Sequence, residues 1–154
     1  MTAPARAIRA RLQALCRGLA NVAWRPQLGG DALARALAGA QAFIHTAEED
    51  FGIALVESQA SGTPVIAFGK GGARNIVMTG AHPTGVLFSE QTPDALMAAV
   101  ERFERLRIAP ATCRENAGRF SQERFRRGFG QAVEQALLRR TYHEDGFTPY
   151  REAG

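Results

Sequence analysis

The run Pro64-Val65-Ile66-Ala67-Phe68 has no polar residue inside it. A continuous apolar stretch of that length fits a β-strand covered on both faces, as in a parallel sheet. The flanking sequence has the alternation such a sheet requires. Ala42 to His45 (A-F-I-H) reads as a short strand before it, Gly85 to Phe88 (G-V-L-F) as a strand after it, and Ile53 to Ser61 as a helix that Gly62 ends. Further upstream, Asn21 to Arg25 (N-V-A-W-R) reads as a first short strand stopped by Pro26. Gly29-Gly30 then turns the chain into a helix capped by Asp31, with Leu33 and Leu37 on a narrow apolar face and Gly39 at its end. Thr92-Pro93 opens another helix, with Pro93 at its first position, that runs to about Arg107. Strand and helix alternate as in an open α/β sheet, whose ligand lies beyond the carboxyl ends of its strands.

The two ends add helices. Ile8, Leu12, Leu15 and Leu19 recur at helical spacing, with Gly18 and Asn21 near the end of the pattern. The first thirty residues lack Asp and Glu and carry Arg6, Arg9, Arg11 and Arg17, a composition shared with organellar transit peptides. The helical periodicity favours instead an amphipathic helix packed on a sheet. At the other end, Ser121 caps a helix with Phe125, Phe129, Val133 and Leu137 on one stripe, weakened by Gly128 and Gly130. Nothing after Arg140 is periodic, so residues 1–140 read as a single domain and 141–154 as a loosely ordered tail.

Composition narrows the function. A chain of 154 residues, 45% hydrophobic, can bury one sizeable core but not two. No apolar stretch approaches the roughly 20 residues of a membrane span. The chain is therefore expected in the cytoplasm, or peripheral to the inner face of the membrane. The formal charge is +4 and rests almost wholly on arginine, since Lys70 is the sole lysine. That excess suits phosphate-bearing ligands or an anionic surface. A basic stripe interleaved with aromatic residues is lacking, which argues against nucleic acid, and no Cys/His spacing points to a metal. Cys16 and Cys113 read as reduced thiols in a reducing compartment.

The chemistry concentrates in Glu49-Asp50-Phe51-Gly52-Ile53-Ala54-Leu55-Val56-Glu57, between a strand and a helix. The first N–H groups of a helix are unpaired and its dipole is positive there, so an anion is welcome. Gly52 removes a side chain that would hold a phosphate away. Glu49 lies ahead of the helix and Glu57 one turn beyond Ile53, so the two could address opposite ends of an elongated ligand. A carboxylate accepts from two vicinal hydroxyls, as a ribose or hexose presents them. A diphosphate between two such diols is a nucleotide sugar. Spacing alone leaves open that both glutamates are solvated helix charges. A glycosidase using the pair as acid and base is disfavoured, because Glu57 falls within the helix.

The ordered set Glu49 to Glu57, Ser58-Gln59-Ala60-Ser61, Gly62-Thr63-Pro64-Val65-Ile66-Ala67 and Gly71-Gly72 resembles the retaining family 4 glycosyltransferases (glycosyl transferases group 1). These have two Rossmann-like domains in the GT-B arrangement, and the carboxyl-terminal one carries E-x7-E, G-x-P-V-I-A and a Gly-Gly loop. Gly85-Val86-Leu87-Phe88, Thr92-Pro93-Asp94-Ala95-Leu96 and Phe120-Ser121 with Phe125 are similar to the family's later elements, so the resemblance spans about residues 20 to 140.

The resemblance implies a partial Rossmann-like parallel sheet with flanking helices, the carboxyl-terminal half of a GT-B enzyme. It implies Glu49 as the catalytic residue, hydrogen-bonded to the donor hexose. Backbone at Phe51, Gly52 and Ile53 would meet the hexose and diphosphate, and Glu57 would hold the ribose diol. The turn from Pro26 to Leu28 would lie against the base. Gly71 and Gly72 would let the main chain approach the sugar or acceptor, or form a plain loop; Lys70 would neutralise phosphate or stand in solvent. His45, where the family usually has proline, reads as a strand-end residue rather than a catalyst. No metal or other cofactor is implied beyond the nucleotide-sugar donor, and the acceptor would be a glycan or lipid-linked sugar.

The run E-E-D-F-G with G-K-G-G most resembles mannosyltransferases of polysaccharide assembly, which favours GDP-mannose. Asn75 departs from the family by replacing a glutamate. Two further strands, one bearing an Arg and Lys grip on the diphosphate, and an amino-terminal acceptor domain would normally precede Met1. The chain thus reads as a truncated domain, active with a separate amino-terminal partner, or as a non-catalytic nucleotide-sugar-binding module.

Overall fold

A computed structural model describes residues 3–25 and 27–144. Its centre is a three-stranded parallel sheet of β1 (Phe43–His45), β2 (Val65–Phe68) and β3 (Gly85–Phe88), in that order. Ile44 lies opposite Ile66, and Ile66 opposite Val86, so the register aligns the apolar runs across the sheet. β2 is central and all four of its residues are buried, as its unbroken apolar run requires. The expectation of a parallel sheet with flanking helices holds.

Alternation along the strands divides the interior into two layers. On one face, Phe43, Val65, Ala67 and Leu87 meet Leu55 and Val56 of α3 (Ile53–Ala60), together with Ala73 and Ile76 of α4 (Ala73–Ile76), Val77 and Phe120. On the other, Ile66, Phe68, Val86 and Phe88 pack on Ala95, Leu96, Ala99, Val100 and Phe103 of α5 (Pro93–Glu104). Thr92 caps α5 by accepting the Ala95 N–H at 3.2 Å, and Pro93 occupies the first turn. α5 covers β2 and β3, which leaves Ile44 of β1 exposed on that side.

α6 (Pro110–Ala117) packs along α3 and was not foreseen from the sequence. Its inner face is small and polar: Cys113, Asn116 and Ala117. The Asn116 Nδ2 donates to Gln59 Oε1 at 2.6 Å and to the Ile76 carbonyl at 2.7 Å, while Arg119 donates to Asn116 Oδ1 at 2.8 Å. These bonds satisfy buried polar groups whose isolation would be costly. They also tie α3, α4 and α6 into one unit.

Several expectations are corrected. Asn21 to Arg25 is not a strand: Asn21 is in a turn and Val22 to Arg25 have no regular structure. A strand needs a neighbour for its N–H and C=O groups, and among the described residues the sheet contains no strands but β1, β2 and β3. Trp24 instead lies 6.0 Å from the Arg9 guanidinium. The first helix, α1 (Ala3–Cys16), forms as expected but is not laid on the sheet: Ile8, Leu12 and Leu15 are 61%, 44% and 66% exposed. α2 (Gly30–Ala38) has Gly29 at its N-cap, and Asp31 sits in the first turn without capping; there its carboxylate still meets the positive end of the dipole. After a 3₁₀ turn at Gly118–Phe120, α7 (Gln122–Glu144) is capped, as expected, by Ser121, whose Oγ accepts the Arg124 N–H at 3.3 Å. The expected tail otherwise falls on residues 145–154, outside those described, as does Pro26.

Candidate functional site

Because the three strands are parallel, the loops that follow them emerge along one edge. Those loops are 46–52, 69–72 and 89–92. The Gln91 Nε2 donates to the Thr46 carbonyl at 2.7 Å and thereby links the loops after β1 and β3 across the end of β2. Glu49, Phe51, Gly52, Lys70, Gly71 and Gly72 therefore share the carboxyl edge of the sheet, where open α/β folds bind ligands.

α3 starts from this edge. Gly52 is its N-cap with φ +90°, a left-handed conformation that a residue with a Cβ adopts only under strain. A Cβ there would also press on Leu55 Cδ1 at 3.0 Å. The Gly52 carbonyl accepts the Leu55 N–H at 3.0 Å, so the helix closes at once while the N–H groups ahead of Leu55 point out of its first turn. Gly52 was expected to clear space for a phosphate; the geometry shows a backbone role, since a Cβ there would point at Leu55 and Ile76 of the core.

The Gly71-Gly72 pair lies directly against this segment. Gly72 N–H donates to the Glu49 carbonyl at 2.8 Å. A Cβ on Gly71 would collide with that carbonyl, and one on Gly72 with the Phe51 carbonyl. The glycines thus allow main chain to meet main chain, which locks the Glu49–Phe51 loop onto the loop after β2. Phe51 is further held edge-on to Phe120, with ring centroids 6.0 Å apart. Its side chain braces the loop on one side, while its carbonyl lies against Gly72 on the other.

Glu49 and Glu57 flank the start of α3 with both side chains exposed. Ser61 donates through its Oγ to the Glu57 carbonyl at 2.9 Å, leaving the Glu57 carboxylate itself outside that bond. Ile53 is exposed at the first helical position, and Lys70 is exposed with its Nζ 5.4 Å from the Phe68 ring. Leu28 is half-buried in the segment leading into α2.

One pairing was not anticipated. His45 Nε2 lies 3.6 Å from Glu49 Oε1. A groove of about 630 Å³, lined by Gly69, Arg74, Glu90, Asp94 and Arg102 among others, contains neither Glu49 nor Glu57. Among the described residues, no three His, Cys, Asp or Glu side chains gather as a metal site would require.

Comparison with known proteins fits this architecture. The model of the family described as glycosyl transferases group 1 matches residues 6–120. A D-inositol 3-phosphate glycosyltransferase of Geodermatophilus obscurus is 38% identical over 84 residues, 54% of this chain and 18% of that protein. A GDP-mannose-dependent alpha-mannosyltransferase of Mycobacterium tuberculosis is 34% identical over 114 residues, 64% of this chain and 30% of that protein. Among solved structures, sucrose-phosphate synthase from Thermosynechococcus elongatus superposes with a TM-score of 0.67 at 28% identity, covering 86% of this chain and 35% of that one. The chain thus spans less than a third of either relative's length and about a third of the solved structure's. With its partial Rossmann-like sheet and a family match that takes in both glutamates and the glycine pair, the chain belongs to the glycosyl transferases group 1 family and is a GT-B-type glycosyltransferase domain.

Proposed function

We propose that residues 1–140 form the donor-binding domain of a retaining, family 4 hexosyltransferase that moves a hexose from a nucleoside diphosphate to a glycan or lipid-linked acceptor. The observation that carries this reading is that Glu49 stands in the loop ahead of α3, on the carboxyl edge of the sheet, and that the exposed Glu57 lies one turn into that helix. In this reading Glu57 accepts from the ribose hydroxyls, and Glu49 accepts from the hexose. Backbone N–H groups from Phe51 to Ala54 face the diphosphate, which leaves as the bond from the anomeric carbon to phosphate oxygen breaks and that to the acceptor oxygen forms. Such preorganised donors stabilise the charge that develops on the leaving group. Lys70, one residue ahead of the glycine pair, adds positive charge. Leu28 supports the base, and Gly71-Gly72 fix the loop that carries Glu49.

Mannose is the favoured hexose, because one relative is named a GDP-mannose-dependent alpha-mannosyltransferase. The donor is then GDP-mannose, with no metal required, and the domain works in the cytoplasm or at the inner face of the membrane, with a separate amino-terminal domain as partner. Among the described residues no helix is long and apolar enough to cross a membrane.

Thermal denaturation in the presence of GDP, GDP-mannose or UDP tests the site. A ligand at 100 times its Kd stabilises a fold by about 2.7 kcal/mol, about 5 to 10 °C in Tm for a chain of this length. The expected result is a saturable rise with GDP-mannose and GDP that Glu57→Ala weakens by about 10- to 100-fold in apparent affinity. No rise with any nucleotide contradicts the reading. A rise without sugar transfer on addition of a lipid-linked or glycan acceptor and an amino-terminal domain identifies a binding module instead.

A further inference from the structure

The half-buried imidazole at the end of β1 has no assigned task. The His45 side chain is 13% exposed, and its ring stacks on Phe43 at 6.1 Å with an interplanar angle of 29°. Its Nε2 is withdrawn from solvent and lacks a hydrogen-bond partner in the described structure. An unsatisfied nitrogen of that kind calls for a physical explanation. The Glu49 Oε1 lies 3.6 Å away, a few tenths of an ångström beyond hydrogen-bond range. Glu49 is differently constrained: its backbone is pinned by the Gly72 N–H at 2.8 Å, while its side chain is 46% exposed. Backbone anchoring leaves the carboxylate free to rotate, and a clamp for a diol must not rotate.

We propose that His45 is a positioning residue for Glu49, donating from Nε2 to Oε1 so that the second carboxylate oxygen is presented to the hexose. This rests on the reading of Glu49 as the hexose contact. A carboxylate has acceptor capacity for both partners at once. Functional hydrogen bonds are often long in the empty site and tighten when ligand binds, which accounts for a donor held near its acceptor but not yet bonded. The Phe43 ring and the sheet register, which sets His45 opposite Ala67, fix the imidazole before any ligand arrives.

Calorimetric titration of the full chain with GDP-mannose and, separately, with GDP discriminates the outcomes. His45→Phe keeps the stacked ring and removes the donor; it is expected to weaken GDP-mannose on the order of 10-fold while leaving GDP unchanged. His45→Gln, which retains an N–H donor, should restore most of that loss. In a Glu49→Ala background, His45→Phe should have no further effect. In the wild-type chain, the His45 ring nitrogen resonance should move with GDP-mannose and not with GDP, a readout independent of whether any variant folds. Equal losses for both ligands, no rescue by glutamine, or additive effects with Glu49→Ala overturn the positioning role. Glu49→Ala losing hexose-dependent affinity while both His45 variants bind like wild type overturns this proposal alone. A wild-type chain that binds GDP and GDP-mannose equally, or a Glu49→Ala variant unchanged in both, overturns the Glu49 reading and the His45 role with it.

Discussion

At the scale of single residues, the glycines around the start of α3 are the most tightly specified. Gly72 sits where a Cβ would strike the Phe51 carbonyl, and its N–H bonds the Glu49 carbonyl. Gly72→Ala should therefore force the two loops apart and destabilise the fold by about 1 to 3 kcal/mol, as overpacking typically does. For a chain of this length that lowers Tm by roughly 2 to 4 °C per kcal/mol, measurable by differential scanning calorimetry. An unchanged Tm would mean that the loops do not pack as described. Both readings of the glycine pair, as ligand-facing main chain or as plain loop, were open in the sequence. The reason for the pair is a contact with residues some twenty positions earlier, and no local pattern discloses such a contact. The position of Glu49 and Glu57 around a strand-to-helix transition was legible because a glycine at the junction carries its own signal. His45 was read only as a strand-end residue, since its partner becomes visible once the loop after β1 folds back toward it.

Among the elements, strands with unbroken apolar runs were readable and those dependent on a neighbour were not. β2 and β3 follow from composition alone, whereas Asn21 to Arg25 has the residues of a strand and no strand beside it. α5 was readable from Thr92-Pro93. α6 escaped because its buried face is Cys113, Asn116 and Ala117, with no large apolar periodicity to detect. That face makes two predictions. Asn116→Ala removes the donor to Gln59 Oε1 and to the Ile76 carbonyl, leaving the buried Gln59 oxygen without a donor and the carbonyl with the longer bond from Gln59 Nε2 alone, and should cost about 1 to 3 kcal/mol in urea unfolding. Burial raises the Cys113 thiol above its ordinary value of 9.0, opposed in part by the positive charge of Arg114. Its folded pKa therefore exceeds the unfolded one, so the folded state favours the protonated thiol. Stability should be constant in this group below the unfolded pKa and decline as pH rises from about 9 through the folded value. Cys113→Ala should flatten that alkaline decline, measured by Tm against pH; an unchanged slope would assign the decline to another group.

Over the whole molecule, packing is concentrated on the two faces of β2 and β3, while α1 carries its apolar row outward. Ile66→Ala is expected to lose about 2 to 5 kcal/mol, whereas Leu15→Ser should stay within about 0.5 kcal/mol; denaturant titrations of the two variants test where the core lies. The same arrangement leaves the carboxyl edge of the sheet open to solvent, with its loops joined to one another by Gly72 and Gln91 rather than covered. The central claim is that a nucleotide sugar seats on this edge, across the start of α3. Titration of the isotopically labelled chain with GDP-mannose, followed through its backbone amide resonances, tests that most directly. Saturable shifts should centre on Phe51 to Ala54 and Lys70 to Gly72, and Glu57→Ala should weaken them. Shifts that saturate elsewhere, such as along the groove lined by Arg74 and Arg102, or no shifts at all, would contradict it.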